Sequence, residues 1–409
     1  MPGQLLRARD GRHARVGFAE LFYDLVFVFA ITQLSHALLE HQTPLGFLET
    51  GMLFLAIWWT WIFTAWVTNW LDPEKSRVRL MLFALMAAGL VVSMSIPTAF
   101  AERGAVFAIG FVTIQVGRTL FMLAAVARAD KGNFLNFIRI LAWLCVSAIF
   151  WLWGGFADPH TRLPLWGIAL AIEYVGPIAG FRTPGLGASS TSDWAVEGSH
   201  MAERCGLFII IALGESVLIT GATFADLGWT PDAITAFLSA FIGTIAMWWI
   251  YFNIGAERGS HVLTDTDDPG RLARSAYTYL HLPIVAGIIM TAASDEMALV
   301  HPHGHVTILQ IACLVGGPAL YISGNALFKR AIAGFGPLSH IVGLFGFAGL
   351  AIVAPRLDAL TLSLASTGIL VAVAIWETLS WARGPTDAID DPVLHPRSRS
   401  ATPPASSGE

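Results

Sequence analysis

The chain has 409 residues, 55% hydrophobic and 13% charged, with a formal net charge of -5. Ordinary soluble domains carry about 25% charged residues, so this composition excludes most soluble folds; without a concentrated basic face it also excludes a nucleic-acid binder. The three cysteines, Cys145, Cys205 and Cys313, stand alone in apolar runs without CxxC spacing. They are read as small core residues, with no disulfide, metal or cofactor implied.

A helix crosses the hydrocarbon core with about 20 apolar residues, and the chain offers twelve such runs in order. Residues 1–16 form a basic start. The first run, 17–40, holds "ELFYDLVFVF", which puts Glu20 and Asp24 one helical turn apart on one face. The next runs are 46–70, 78–100, 104–127, 134–156 and 164–181; the fourth carries Arg118 in "GRTLFML", and the sixth carries Glu173 with Pro177 one turn on. A polar linker, 182–199, separates these from 201–224, 232–254, 272–293, 305–328, 337–354 and 358–381. The seventh, "HMAERCGLFIIIALGESVLITGA", has Glu203 near its start and Glu215 well inside the membrane. His281 precedes Pro283 in the ninth, and Glu377 in the twelfth reads as an interfacial carboxylate. The Pro-, Ser- and Asp-rich residues 383–409 are expected to be a disordered tail.

Positive charge sets the orientation, because lysine and arginine concentrate on cytoplasmic flanks. With the N-terminus inside, 20 of the 24 basic residues flank the inner surface, while Arg103, Arg162 and Arg356 flank the outer one and Arg118 lies within a span. This asymmetry predicts both termini in the cytoplasm. The basic start and the apolar run after it are interrupted by Glu20 and Asp24 and lack an AxA-like site, so they read as an uncleaved span.

The two halves echo one another. "AELF" at 19–22 faces "AERC" at 202–205, "AIWWTWIF" at 56–63 faces "AMWWIYFN" at 246–253, "DPEKSR" at 72–77 faces "DPGRLAR" at 268–274, and "GRTLF" at 117–121 faces "GNALF" at 324–328. Four matches in one order predict an all-α polytopic membrane protein of about twelve transmembrane helices. They would form two parallel six-helix repeats, 17–181 and 200–382, as several transporter folds do. The repeated Asp-Pro, at Asp72 and Asp268, reads as helix capping.

An ionisable side chain within a span costs about 2.5 to 3.5 kcal/mol at the centre, so each needs a partner, water or a changed protonation state. Glu20 and Asp24 lie at a depth that Arg118 could reach, and an ion pair between them is expected, either holding two helices together or forming part of a pathway. Glu215 is either a protonated carboxyl bonded to a neighbouring helix or a cavity group, and His281 either a packing residue or a tunable one. Three other signals are discounted. "HPHGH" at 301–305, near Asp295 and Glu296, fixes no metal geometry; "DTDD" at 265–268 lacks a second acidic motif; Trp58, Trp59, Trp61, Trp248, Trp249 and Tyr251 read as helix packing.

At "FAELFYDLVFVFAITQLSHAL" and "MAERCGLFIIIALGESVLI" the chain resembles the bacterial low temperature requirement protein A (LtrA) family over about residues 10 to 382. The motif residues are Glu20, Asp24, Gln33 and His36 in the first stretch, and Glu203, Gly214 and Glu215 in the second. The resemblance implies a multispanning inner-membrane protein linked to growth in the cold. The leading expectation is a secondary transporter or permease with a midplane cavity lined by Asp24, Arg118, Glu173, Glu215 and His281, with Glu20 and Glu203 at its mouth. Its partners would be the lipid bilayer and a small-molecule or ion substrate. The alternative is a non-catalytic sensor or lipid-interacting scaffold; an enzyme using Asp265, Asp267 and Asp268 ranks third.

Overall fold

The computed structural model describes residues 5–7, 15–127, 130–190, 194, 196–253, 268–334 and 336–382; the discounted acidic run at 265–267 and the expected tail at 383–409 lie outside them. The described residues form twelve long helices and no strands. They are α1 (Phe18–Glu40), α2 (Pro44–Trp70), α3 (Ser76–Ser95), α4 (Gly104–Val126), α5 (Lys131–Phe156), α6 (Pro159–Ile178), α7 (Gly198–Asp226), α8 (Pro231–Phe252), α9 (Pro269–Val300), α10 (Ile308–Ile332), α11 (Leu338–Val353) and α12 (Ala359–Ala382). Eleven are long and apolar enough to cross a bilayer. The remaining one, α6, has 20 residues, with Arg162 and Glu173 buried in it.

Local chemistry explains where helices start. The side chains of Thr43, Asp158, Thr230 and Asp268 accept hydrogen bonds from the first free backbone N–H groups, and each is followed by a proline that has no N–H to satisfy. Asp268 is thus the cap expected of it. Asp72 instead closes a turn on Glu74 N at 3.0 Å, and α3 begins later, at Ser76.

Packing follows one order in each half. α1 lies on α2 and α3, α3 on α4, α4 on α5, α5 on α6, and α2 on α6; α7 lies on α8 and α9, α9 on α10, α10 on α11, α11 on α12, and α8 on α12. The halves meet where α1 and α2 pack on α7 and α9. Trp58, Trp59 and Trp61 fill this junction and are almost wholly buried, whereas Trp248 and Trp249 are 44% and 41% exposed on α8 and take no comparable part. Among the cysteines, Cys205 and Cys313 are buried as expected, but Cys145 is exposed on α5.

Two wider π-helical turns, Ala273–Tyr279 in α9 and Ala312–Gly316 in α10, have no counterpart in the sequence pattern. In the first, displaced carbonyls find side-chain donors: Trp58 Nε1 donates to Thr278 O at 2.9 Å and His281 Nδ1 to Ala276 O at 2.9 Å. Such turns persist where the surrounding groups satisfy the freed backbone.

Candidate functional site

Glu20 and Asp24 lie two and six residues into α1; His200 and Arg204 lie two and six residues into α7. The two helices ascend together, so equal positions meet at equal depth. Arg204 grips Asp24 as a fork, NH1 to Oδ2 at 2.8 Å and NH2 to Oδ1 at 2.9 Å, with both side chains essentially inaccessible. Trp61 Nε1 adds a bond to Asp24 Oδ1 at 2.9 Å, and the guanidinium lies 5.5 Å from the Trp61 ring centre. A two-pronged arginine–carboxylate contact is among the stronger side-chain pairings.

One turn lower, Glu20 Oε2 accepts from Gly17 N at 2.8 Å and from Arg7 NH2 at 2.9 Å, and Glu20 Oε1 meets His200 Nε2 at 3.0 Å. Arg7 also donates to Thr68 O and Leu71 O, so a cation satisfies free carbonyls at the C-terminus of α2. Glu203 belongs to the same end, its Oε2 accepting from Val16 N at 3.3 Å.

The expected pairing of Arg118 with Glu20 or Asp24 is therefore corrected. Arg118 sits on α4, which packs on α2, α3 and α5, and its NH1 donates to Thr60 O and Thr64 Oγ1, each at 3.0 Å, while NH2 donates to Gln115 Oε1. Gln115 passes the contact on, donating from Nε2 to Glu173 Oε2 at 2.8 Å; Ser147 and Trp151 donate to Glu173 Oε1. Arg118 and Glu173 share a network, but through an amide. Glu377, five residues from the end of α12, pairs with Lys329 of α10, which also donates to Ile250 O at 2.8 Å.

His281 is buried between Trp58, Tyr251, Tyr277 and Phe328 and bonds to Tyr251 OH at 2.8 Å. With Nδ1 donating to Ala276 O, Nε2 accepts from the phenol, so a neutral ring satisfies both contacts.

Glu215 lies elsewhere. Above the Asp24–Arg204 pair a cleft of 440 Å³ is lined by Leu25, Val28, Phe29, Thr32 and His36 of α1 and by Glu215, Leu218, Ile219, Ala222 and Thr223 of α7, with Glu296 of α9, and Thr32 hydrogen-bonds Glu215 across it. Glu215 is 2% exposed. None of Asp24, Arg118, Glu173 or His281 lines this cleft, so the five residues expected in one cavity occupy four separate places. Asp295, beside Glu296, does not line the cleft and accepts from Ser216 Oγ at 3.3 Å.

Several of these partners were missed from the sequence. Arg204 and His200 were legible in principle, since a parallel α7 puts them level with Asp24 and Glu20. Arg7 left no periodic signal, because it acts from outside any helix.

A bundle of long apolar helices with paired charges in its interior defines a polytopic membrane protein. The chain belongs to the bacterial low temperature requirement A protein family, whose model matches residues 15–375. It is 40% identical over 374 residues to an uncharacterised protein of Rhizobium meliloti (strain 1021), covering 91% of each chain. No solved structure matches it.

Proposed function

We propose that this family member is a secondary carrier made of two related six-helix halves, with the α1–α7 seam as the moving contact. The observation that carries the reading is that one pair of helices is joined at its first two turns by the buried Asp24–Arg204 ion pair and the Glu20–His200 contact and is flanked by a cleft at Glu215 further on. Alternating access requires two such ends that open in turn. Glu20, Asp24 and Glu203, with Arg7, His200 and Arg204, form the closed gate; Glu215 lines the substrate cleft; Arg118, Glu173 and His281 are positioning groups in the walls.

The relation between halves draws support from equivalent contacts. Arg118 of α4 donates to Thr60 O of α2, and Lys329 of α10 donates to Ile250 O of α8; both cations reach toward a glutamate on the sixth helix of their half, Glu173 through Gln115 and Glu377 directly. Thr60 and Ile250 correspond in the aligned tryptophan motifs. Trp59 stacks on Tyr174 and Trp249 donates to Thr378, each again joining the second helix to the sixth. The division at 182–199 and a cytoplasmic placement of both termini, drawn from the distribution of basic residues, complete the reading.

The test is uptake into proteoliposomes given a bacterial metabolite extract under an inward proton gradient, with the contents identified by mass spectrometry. A carrier enriches at least one solute over empty liposomes, and Glu215→Gln loses that enrichment. No enriched solute, or equal enrichment by the variant, contradicts it and favours the scaffold reading.

A further inference from the structure

The cleft around Glu215 has a composition that specifies a chemical class of ligand. Its walls are Leu25, Val28, Phe29, Leu218, Ile219 and Ala222, and its polar groups are the carboxyls of Glu215 and Glu296, the hydroxyls of Thr32 and Thr223 and the imidazole of His36. No lysine or arginine lines it. Glu296 Oε2 is enclosed and accepts no hydrogen bond, although a buried acceptor left in that state costs about 1 to 3 kcal/mol. Glu215 is also almost wholly enclosed. By contrast, the buried carboxylates Glu20 and Asp24 have cations from the chain, and Glu173 and Asp295, which have none, accept hydrogen bonds from neutral donors.

The approach is equally specific. Leu25 and Leu218, which line it, are 54% and 62% exposed on helices long and apolar enough to cross a bilayer. The cleft thus opens sideways, toward lipid. We infer that it binds an amphipathic cation, a protonated or quaternary amine on an apolar chain, which enters from the bilayer and sets its charge between Glu215 and Glu296 with its chain against Phe29, Leu218 and Ile219. An anion would meet two carboxyls with only the His36 imidazole to offset them. A neutral amphiphile would fill the apolar wall and leave the carboxyls as they are. The inference rests on the site assigned above but concerns binding, so it can fail while transport of some other solute stands.

The probe is radiolabelled octyltrimethylammonium, measured as the saturable component of binding to the full-length protein in nanodiscs above protein-free discs. Octanoate and octyl glucoside serve as competitors of opposite and zero charge. The expected result is saturable binding displaced by neither competitor, weakened at least tenfold in Glu215→Gln/Glu296→Gln and lost in Leu218→Trp, which fills the rim from an exposed position and keeps both carboxyls. An unaltered melting temperature for Leu218→Trp shows that loss of binding is not loss of fold. Binding undiminished in both variants, no saturable binding, or equal displacement by octyl glucoside would overturn the inference. Solute uptake that persists without octyltrimethylammonium binding would leave the carrier reading intact and refute only the ligand class.

Discussion

Asp24 and Arg204 are the residues on which the junction of the halves depends, because each would be an uncompensated charge without the other. Arg204→Ala strands the Asp24 carboxylate beside Trp61 alone, and removal of one partner from a buried pair costs about 3 to 5 kcal/mol. Thermal unfolding in detergent should show this loss, and Arg204→Met/Asp24→Leu should recover much of it, since removing both charges removes the desolvation penalty as well. A double variant no more stable than Arg204→Ala would contradict the pairing. Arg118→Met should cost less, about 1.5 to 3 kcal/mol, the worth of hydrogen bonds from a charged donor: it leaves Glu173 with Gln115, Ser147 and Trp151, so no carboxyl is orphaned. At this scale the sequence located the charged groups and missed their partners. Depth along a span can be counted from residue number, but which helices touch cannot, and Arg118 and Arg204 were both deep enough to reach Asp24.

Helix–helix contacts are set by small residues as well as by charge. A Cβ on Gly287 of α9 would lie 2.5 Å from Tyr321 N and 2.7 Å from Gly317 O of α10, backbone atoms that cannot move aside. Gly287→Ala should therefore lower stability by about 1 to 3 kcal/mol, as overpacking does, whereas Gly349→Ala, with nothing within 4 Å, should be neutral or slightly stabilising. Equal melting temperatures for the two variants would refute the close α9–α10 approach.

At the end away from the basic N-terminus, His303 bridges Asp358 at 2.9 Å and Asp232 at 3.0 Å, joining the starts of α12 and α8. These carboxylates raise the imidazole above its ordinary value of 6.5, while hydrogen bonds from Thr361 and His303 hold Asp358 down at about 2. The histidine contribution is complete below its ordinary pKa and fades as pH rises through the raised value; the Asp358 contribution is present above the ordinary carboxylate range and fades as pH falls toward 2. The melting temperature of the wild type should accordingly drop between pH 6 and pH 9 by more than that of His303→Ala, and parallel curves would rule the bridge out as a source of stability. "HPHGH" had been set aside as a weak metal signal, and its use as a bridge was invisible because Asp232 and Asp358 are 71 and 55 residues away in sequence.

Over the whole molecule, the apolar runs fixed the number and order of helices, because a long uncharged segment has few other uses. Offsets such as Lys131 for the start of α5 and Pro159 for α6 reflect polar first turns and caps that hydropathy does not register. The two π turns were not legible, since their freed carbonyls are satisfied by Trp58 and His281 only after α2 and α9 pack. Nor was the separation of Glu215 from Asp24: both lie along α1 and α7, but Asp24 pairs with Arg204 whereas Glu215 lines the cleft, and that difference comes from how the helices pack.

The central claim is that this seam opens at one end as it closes at the other. Spin labels at Phe18→Cys and Ser199→Cys for the sealed end, and at Glu40→Cys and Phe224→Cys for the cleft end, in a Cys145→Ser background, allow both distances to be measured by double electron–electron resonance in nanodiscs. When Asp24→Asn weakens the Arg204 contact, the account predicts a longer distance at the sealed end together with a shorter one at the cleft end. Two distributions that stay as in the wild type, or that broaden together, would contradict it and leave a rigid membrane scaffold.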